Sequence, residues 1–404
     1  MKKTLRVFFY LGLFCVSMKA FAELYKPYRL IELSVDNTAS VSNNYFSPGD
    51  IFKKDLVIDL SKMAKNMPDS GFNINFNEKT MTELNVNVGR VCRVGVFSGV
   101  DAFGTATLDK SFFDFISGVN KRSYTVKAEC DAEIYAVNGL KFMSFINGYG
   151  ICVKPTVFVP LLYCPEIKGS AKYRDTDDGI GVDADATARI YTAFPGECIF
   201  EGDDFEFNSP MSGSGFCLEV SVETKIIPEL DVGVFTTIPM VPGSLGYYTE
   251  TGVTATGYVD NVLADKQDGR EYADWDYETK DKEYGKDKIK LHRPMRFGAE
   301  AAFRPVGNWL TLRPELALVI RSPFSKYATC GLEYSLAGEI RALNIASIIH
   351  TTDYKNEVFS QRLDFMVNAH VLEIDFGIAS TSGSFLNSFR FTGVTANFGI
   401  KMGF

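Results

Sequence analysis

The sequence predicts an all-β fold, a transmembrane antiparallel β-barrel of about 14 strands (12–16) with a short helical N-terminal segment. Three observations predict it: an amino-terminal export leader, long runs of two-residue alternation, and a final amphipathic strand that ends on an aromatic residue.

The leader comes first. Lys2, Lys3 and Arg6 form a positive front, Val7 to Met18 is a twelve-residue apolar core, and Ala20-Phe21-Ala22 places small residues at both cleavage positions. This is the layout of a secretory signal peptide over residues 1–22, too short for a stable anchor. Cleavage is expected after Ala22. A lipoprotein signal at Cys15 is disfavoured, because Phe14 stands where a small residue is needed. Loss of the leader removes four basic residues and takes the net charge from −8 to −12. That balance, with no basic block, argues against nucleic acid and against anionic lipid surfaces. Past the leader no apolar run approaches the length of a membrane-spanning helix.

The alternation is the main signal. From Tyr124 to Ala136 the even positions are apolar or small, apart from the leading Tyr124. Between them stand Thr125, Lys127, Glu129, Asp131, Glu133 and Tyr135. Successive strand side chains point to opposite faces, so one face is apolar and the other charged. The same reading applies to 182–190, 216–222, 310–320 and 330–342, the last two with Arg313, Glu315, Glu339 and Arg341 on the polar side. A soluble sandwich would alternate too. Here the runs are longer than the five or six residues usual for globular strands. Ala and Gly share the apolar face with large residues, and Tyr247, Tyr248, Trp309, Phe324 and Tyr327 stand near strand ends, as interfacial girdles do.

The last strand sharpens the reading. Val394, Ala396, Phe398, Ile400, Met402 and Phe404 alternate with smaller or polar residues. Asn397, Gly399, Met402 and Phe404 match the four positions of a polar-x-Gly-x-x-apolar-x-apolar ending. This resembles the C-terminal β-signal of Gram-negative outer-membrane proteins, which implies the cell outer membrane as destination and the barrel-assembly machinery as partner.

Fourteen strands are expected, near 70–78, 82–98, 122–137, 148–163, 181–194, 214–226, 229–238, 252–262, 289–304, 308–321, 328–343, 345–353, 358–379 and 389–404. The run 358–379 shifts phase after Val371, as a bulge or a pair of strands would. Residues 165–179, 195–213 and the charge-dense 264–290 read as loops. Residues 23–67 read as a helical cap or hatch, since Phe52, Leu56, Leu60, Met63 and Ala64 repeat at helical spacing, and 68–404 reads as the barrel. A barrel of this size with a hatch, and with Asn43-Asn44-Tyr45-Phe46-Ser47-Pro48-Gly49 ahead of it, resembles the FadL family of hydrophobic-compound transporters. The general style also resembles spirochaete outer-membrane proteins. The FadL resemblance implies an apolar pocket near the hatch and lateral exit to the bilayer.

Catalytic and metal signals are weak. His350 lies near Ser347 and Asp353, and His370 near Asp364 and Asn368, but no nucleophile, base and orienting group can be assembled from spacing. Asp175-Thr176-Asp177-Asp178-Gly179 has its glycine one place early for a calcium loop and Ala186 where a bidentate Glu is needed. The seven cysteines left after the leader are odd in number and widely spaced, which fits neither a disulfide framework nor a zinc site. No enzyme, metal or cofactor is expected.

The expected function is a channel for passive transport of small molecules, with Lys127, Glu129, Asp131, Glu133, Arg313, Glu315, Glu339 and Arg341 lining the lumen. The FadL-like form would carry hydrophobic compounds. The alternative is a surface-exposed interaction protein or adhesin that uses the barrel as a mount for its loops.

Overall fold

A computed structural model describes residues 29–45, 65, 67, 71–88, 91–116, 123–146, 148–165, 167–176, 179–196, 213–260, 273–326, 328–342, 345–355, 358–390 and 393–404. The leader with Ala20 and Ala22, and most of the stretch with helical spacing, lie outside them.

The strands in chain order are β1 (Ile31–Asn43), β2 (Phe72–Val88), β3 (Cys92–Leu108), β4 (Ser123–Ile146), β5 (Tyr149–Cys164), β6 (Ile167–Thr176) and β7 (Gly179–Thr192). They continue with β8 (Gly215–Ile227), β9 (Leu230–Val241), β10 (Gly243–Asp260), β11 (Ala273–Leu291), β12 (Met295–Phe303) and β13 (Pro305–Asn308). The last six are β14 (Leu310–Arg321), β15 (Thr329–Ala342), β16 (Ala346–Lys355), β17 (Val358–Asn368), β18 (Leu372–Ser382) and β19 (Val394–Gly403). Fourteen of them close one antiparallel ring: β1 to β5, β8, β9, β12, and β14 to β19, which returns to β1. The closing seam runs from Glu32 opposite Gly403 to Val41 opposite Val394. A closed ring leaves no unpaired edge in the wall.

One end carries the start of β1, the end of β19 and connections of two or three residues, such as those after β2, β4, β8, β15 and β17. We call it the turn end. Gly148 supplies a positive φ of 84° in the β4–β5 turn, and His370 takes 64° in the β17–β18 turn. The opposite, loop end carries the longer connections and a short helix, α1 (Lys110–Ile116). Asp109 caps it by accepting the backbone N–H of Ser111 at 2.7 Å, and Phe113 packs edge-on against Phe72.

The two faces of the wall differ as the alternation requires. Outward stand Leu316, Leu332, Leu336, Ile340 and Phe376, each more than half exposed. Inward stand charged residues such as Glu32, Glu133 and Glu339, each about 2% exposed. A broad exposed apolar band is what a bilayer demands and water penalises, so this barrel spans a membrane. Tyr334, Tyr354, Phe359, Phe385 and Phe389 stack in a chain on the outside near the loop end, an interfacial girdle.

The other strands stand above the ring. β4 is 24 residues long: Ala132–Ile146 pairs with β5, while Ser123–Ala128 pairs with β6. β6, β7, β10 and β11 then form a raised four-stranded sheet at the loop end. One of its faces is bound by ion pairs, Arg189 with Glu250 at 2.7 Å and Lys280 with Asp185 at 2.9 Å. On that face the Tyr248 hydroxyl donates to Glu283, a bond that pushes the phenol's pKa up.

Several expectations are corrected. Within the expected 23–67 segment, β1 occupies 31–43 as a wall strand, while Phe52, Leu56, Leu60, Met63 and Ala64 lie outside the described residues. β1 escaped notice because Asn37 interrupts its outward apolar row. The break between the second and third strands lies after Val88 rather than near 80, since Glu78 and Thr80 also face outward. The loops expected at 165–179 and 264–290 contain β6 and β11. β11 lost its period to two bulges, and a sheet standing in water needs no apolar face. The run 358–379 is two strands.

Candidate functional site

The lumen is the candidate site, and it has three levels. At the turn end a set of buried ion pairs forms a floor. The Arg29 guanidinium lies 2.8 Å from Glu32 Oε2, and its Nε donates to the His370 carbonyl at 2.7 Å. Arg93 reaches Glu32 Oε1 at 3.4 Å and donates to Asn87 Oδ1 at 2.8 Å, and Asn87 donates to the Arg29 carbonyl. Beside them Glu373 accepts from Asn368 at 2.9 Å and from Lys401 at 3.5 Å. Arg29, Glu32, Arg93 and Glu373 are all but inaccessible.

Above the floor lies a cavity of about 370 Å³. Its charged lining is balanced, eight basic against eight acidic side chains. Most are paired: Lys141 with Glu83 at 2.7 Å, Arg313 and Arg341 with Glu339 at 2.5 and 2.6 Å, and Arg362 with Asp364 at 2.8 Å. Arg293 lies 2.7 Å from Asp101 and 3.7 Å from Glu219. It stands between β11 and β12, where the chain dips inward. Among the described residues Lys79 and Lys154 form no direct ion pair, although each stands beside a carboxylate in the register, Asp101 and Glu219. Met81, Phe97, Val137, Ile349 and Met366 supply the apolar lining.

The third level is a neck. Tyr135, Val137, Phe158, Tyr163 and Cys217 on the wall meet Leu245 and Leu291 from the base of the raised sheet in one buried apolar cluster, against which Met81 packs. Val137 and Met81 also line the cavity, so cavity and neck share an apolar surface. Glu133 is held in this level by the Ser322 hydroxyl at 2.7 Å and the Tyr135 hydroxyl at 2.9 Å. Arg321 lies over the Phe103 ring at 3.8 Å.

The predicted lining residues are placed as follows. Arg313, Glu339 and Arg341 border the cavity. Glu133 lies in the neck, and Asp131 shares its face of β4 two residues nearer the loop end. Glu315 faces Arg296 at 3.7 Å, in a group that also holds Glu333. Glu129 is exposed towards the loop end. Lys127 belongs to the part of β4 that pairs with β6. Sequence reasoning missed Arg29, Lys79, Lys154 and Arg293. The two lysines lie inside alternating strands and were legible there; Arg29 and Arg293 lie just outside strands, where no period marks them.

Of the C-terminal residues, Asn397 and Gly399 face inward and Met402 and Phe404 outward. A Cβ on Gly399 would run into the Asp375 carboxylate. His350 faces the exterior beside Leu363, and His370 sits in a turn, so neither joins a nucleophile within the lumen. Asp177 and Asp178 lie outside the described residues. Cys92, Cys130 and Cys330 take outward positions, and the described cysteines are free thiols.

No family model and no curated protein matches the chain. Among solved structures it is similar to a Pseudomonas aeruginosa FadL homologue, with a TM-score of 0.45, 9% identity, and 93% of this chain and 90% of that chain covered. It is similar also to the Ralstonia pickettii toluene transporter TbuX, at 0.44, 8%, 93% and 90%. The third is the P. putida toluene transporter TodX, at 0.43, 7%, 93% and 89%.

Proposed function

We propose that the chain is an outer-membrane channel for passive transport of small molecules, and that it favours those with an apolar body and an anionic or polar head. One observation carries this reading: the 370 Å³ cavity joins the apolar surface of the neck to two lysines without direct ion pairs. An apolar body would rest against Met81, Phe97 and Val137, and its head would meet Lys79 and Lys154. A general porin would need an open aqueous bore. Here Leu245 and Leu291 narrow one level and the Arg29 pairs close another. Two of the similar structures are toluene transporters, but the head-group preference comes from this chain's own lysines.

The test is flux into liposomes holding the refolded mature chain, with benzoate, toluene and glucose as probes. Benzoate and toluene should pass faster than glucose, and benzoate alone should slow in the Lys79→Met, Lys154→Met variant. Glucose passing as fast as the aromatics would sink the selectivity and leave a general pore.

A second reading is favoured by the raised sheet, which stands beyond the lipid band and carries charge on one face. It is a surface for interaction with an external partner. Shortening the β10–β11 hairpin by removing 252–280 should then abolish partner binding. Under the channel reading flux survives this change. The C-terminal residues Asn397, Gly399, Met402 and Phe404 are proposed as the address read by the barrel-assembly machinery.

A further inference from the structure

The outer wall is not uniform around its circumference. Across β14 to β18 most exposed positions are large and apolar, His350 being an exception. Across β1 to β4, midway up, six outward positions are polar, Asn37, Glu78, Thr80, Thr82, Ser98 and Asn138, with Val96 and Val100 interleaved on β3. Lys79, Met81, Phe97 and Val137, chain neighbours of the last five, line the cavity, and Asn37 pairs with Thr80 across the β1–β2 register, so these six share the outer face. Asn37 donates to Glu78 Oε1 at 2.6 Å and to Thr80 Oγ1 at 2.7 Å, and Thr80 donates to the same Glu78 oxygen at 2.7 Å. The patch is not at a headgroup level. On the same strands Leu33, Leu84 and Val86 stand exposed on its turn-end side, and Val41, Ile74 and Phe76 on its loop-end side.

Hydrocarbon does not solvate a carboxylate or an amide, and a lipid-facing charge in mid-membrane is costly. Such groups are retained where protein covers them, and small residues let walls approach closely. Ala102, Gly104, Ala132 and Ala136 surround the patch on β3 and β4.

We propose that this face is where a second copy of the chain docks, in a two-fold pair whose axis runs along β3. The chemistry is self-complementary. Thr80, Val100 and Asn138 each stand eight residues from the turn end of their strand, so β2 and β4 present polar groups at one height on either side of β3. The β2 side carries the acceptor, Glu78. The β4 side carries an amide donor, Asn138. A two-fold axis between them brings each copy's Thr80 level with the other's Asn138, and the Glu78 bonded to that Thr80 one strand repeat beyond it, twice per interface, with Ser98 near the axis. A lipid or an apolar helix offers no donor to the carboxylate.

Two native thiols test the face. Cys92 lies on the exterior of β3, and Cys330 on the exterior of β15, on the large apolar side. A short bis-maleimide added to membranes holding the full chain should give a covalent dimer that is lost in Cys92→Ser and kept in Cys330→Ser. Sedimentation of the detergent-solubilised protein should show a dimer, weakened by about tenfold or more in the Glu78→Leu, Asn138→Leu variant. A monomer that fails to cross-link overturns the proposal, as does a dimer joined through Cys330. Should the double variant fail to fold, the wild-type mass and the cysteine dependence still decide.

Discussion

Arg29 closes the turn end of the lumen with one guanidinium shared between Glu32 and the His370 carbonyl. Replacing it by Ala opens that level, and single-channel conductance should rise several-fold. An unchanged conductance would place the constriction elsewhere. Glu32→Ala has a different effect, since it leaves Arg29 and Arg93 buried beside each other without their shared carboxylate. Breaking such a pair costs about 3–5 kcal/mol, so the temperature at which the folded gel band converts should fall. Arg293→Ala removes a positive charge from between Asp101 and Glu219, and reversal potentials in a salt gradient should shift towards cation selectivity. At this scale the sequence was informative wherever a charge opposed an apolar row, as for Glu133, Arg313 and Glu339. It was silent for Arg29 and Arg293, whose burial depends on where the neighbouring strand ends, a matter of tertiary closure rather than local period.

Among the elements, β19 tests the assembly reading. Deleting Phe404 removes an outward aromatic and the backbone groups that bond to Leu30 and Ile31, and should lower the amount of folded protein in the outer membrane. Normal amounts would show that the ending is not read as a signal. Gly399→Val should be as harmful for a second reason, because the new side chain competes for the space of the Asp375 carboxylate. Strands with one lipid face and one wet face were legible, since a period of two is imposed on them from both sides. β1 and β2 were blurred by Asn37, Glu78 and Thr80, the same residues that distinguish one side of the exterior. β6 and β11 were missed because a sheet in water imposes no such period.

For the whole molecule, the strand number agreed through compensation. Two of the expected fourteen, at 181–194 and 252–262, belong to the raised sheet, while β1 went uncounted and 358–379 supplied two wall strands. The ring itself was foreseeable because alternation, an export leader and a terminal aromatic all pointed to a bilayer. The raised sheet was not, since nothing local tells β4 to change partners after residue 131. The seam between β1 and β19 has a consequence for how the molecule is made. Thr395 bonds to Ser40 across 355 positions of chain, so the last contacts to form join the first-made residues to the last-made. Such contact order is slow to satisfy, and every wall strand has a sticky edge until it is. The polypeptide must therefore stay unfolded and guarded along its whole route, because no half-built version of this wall is safe in water.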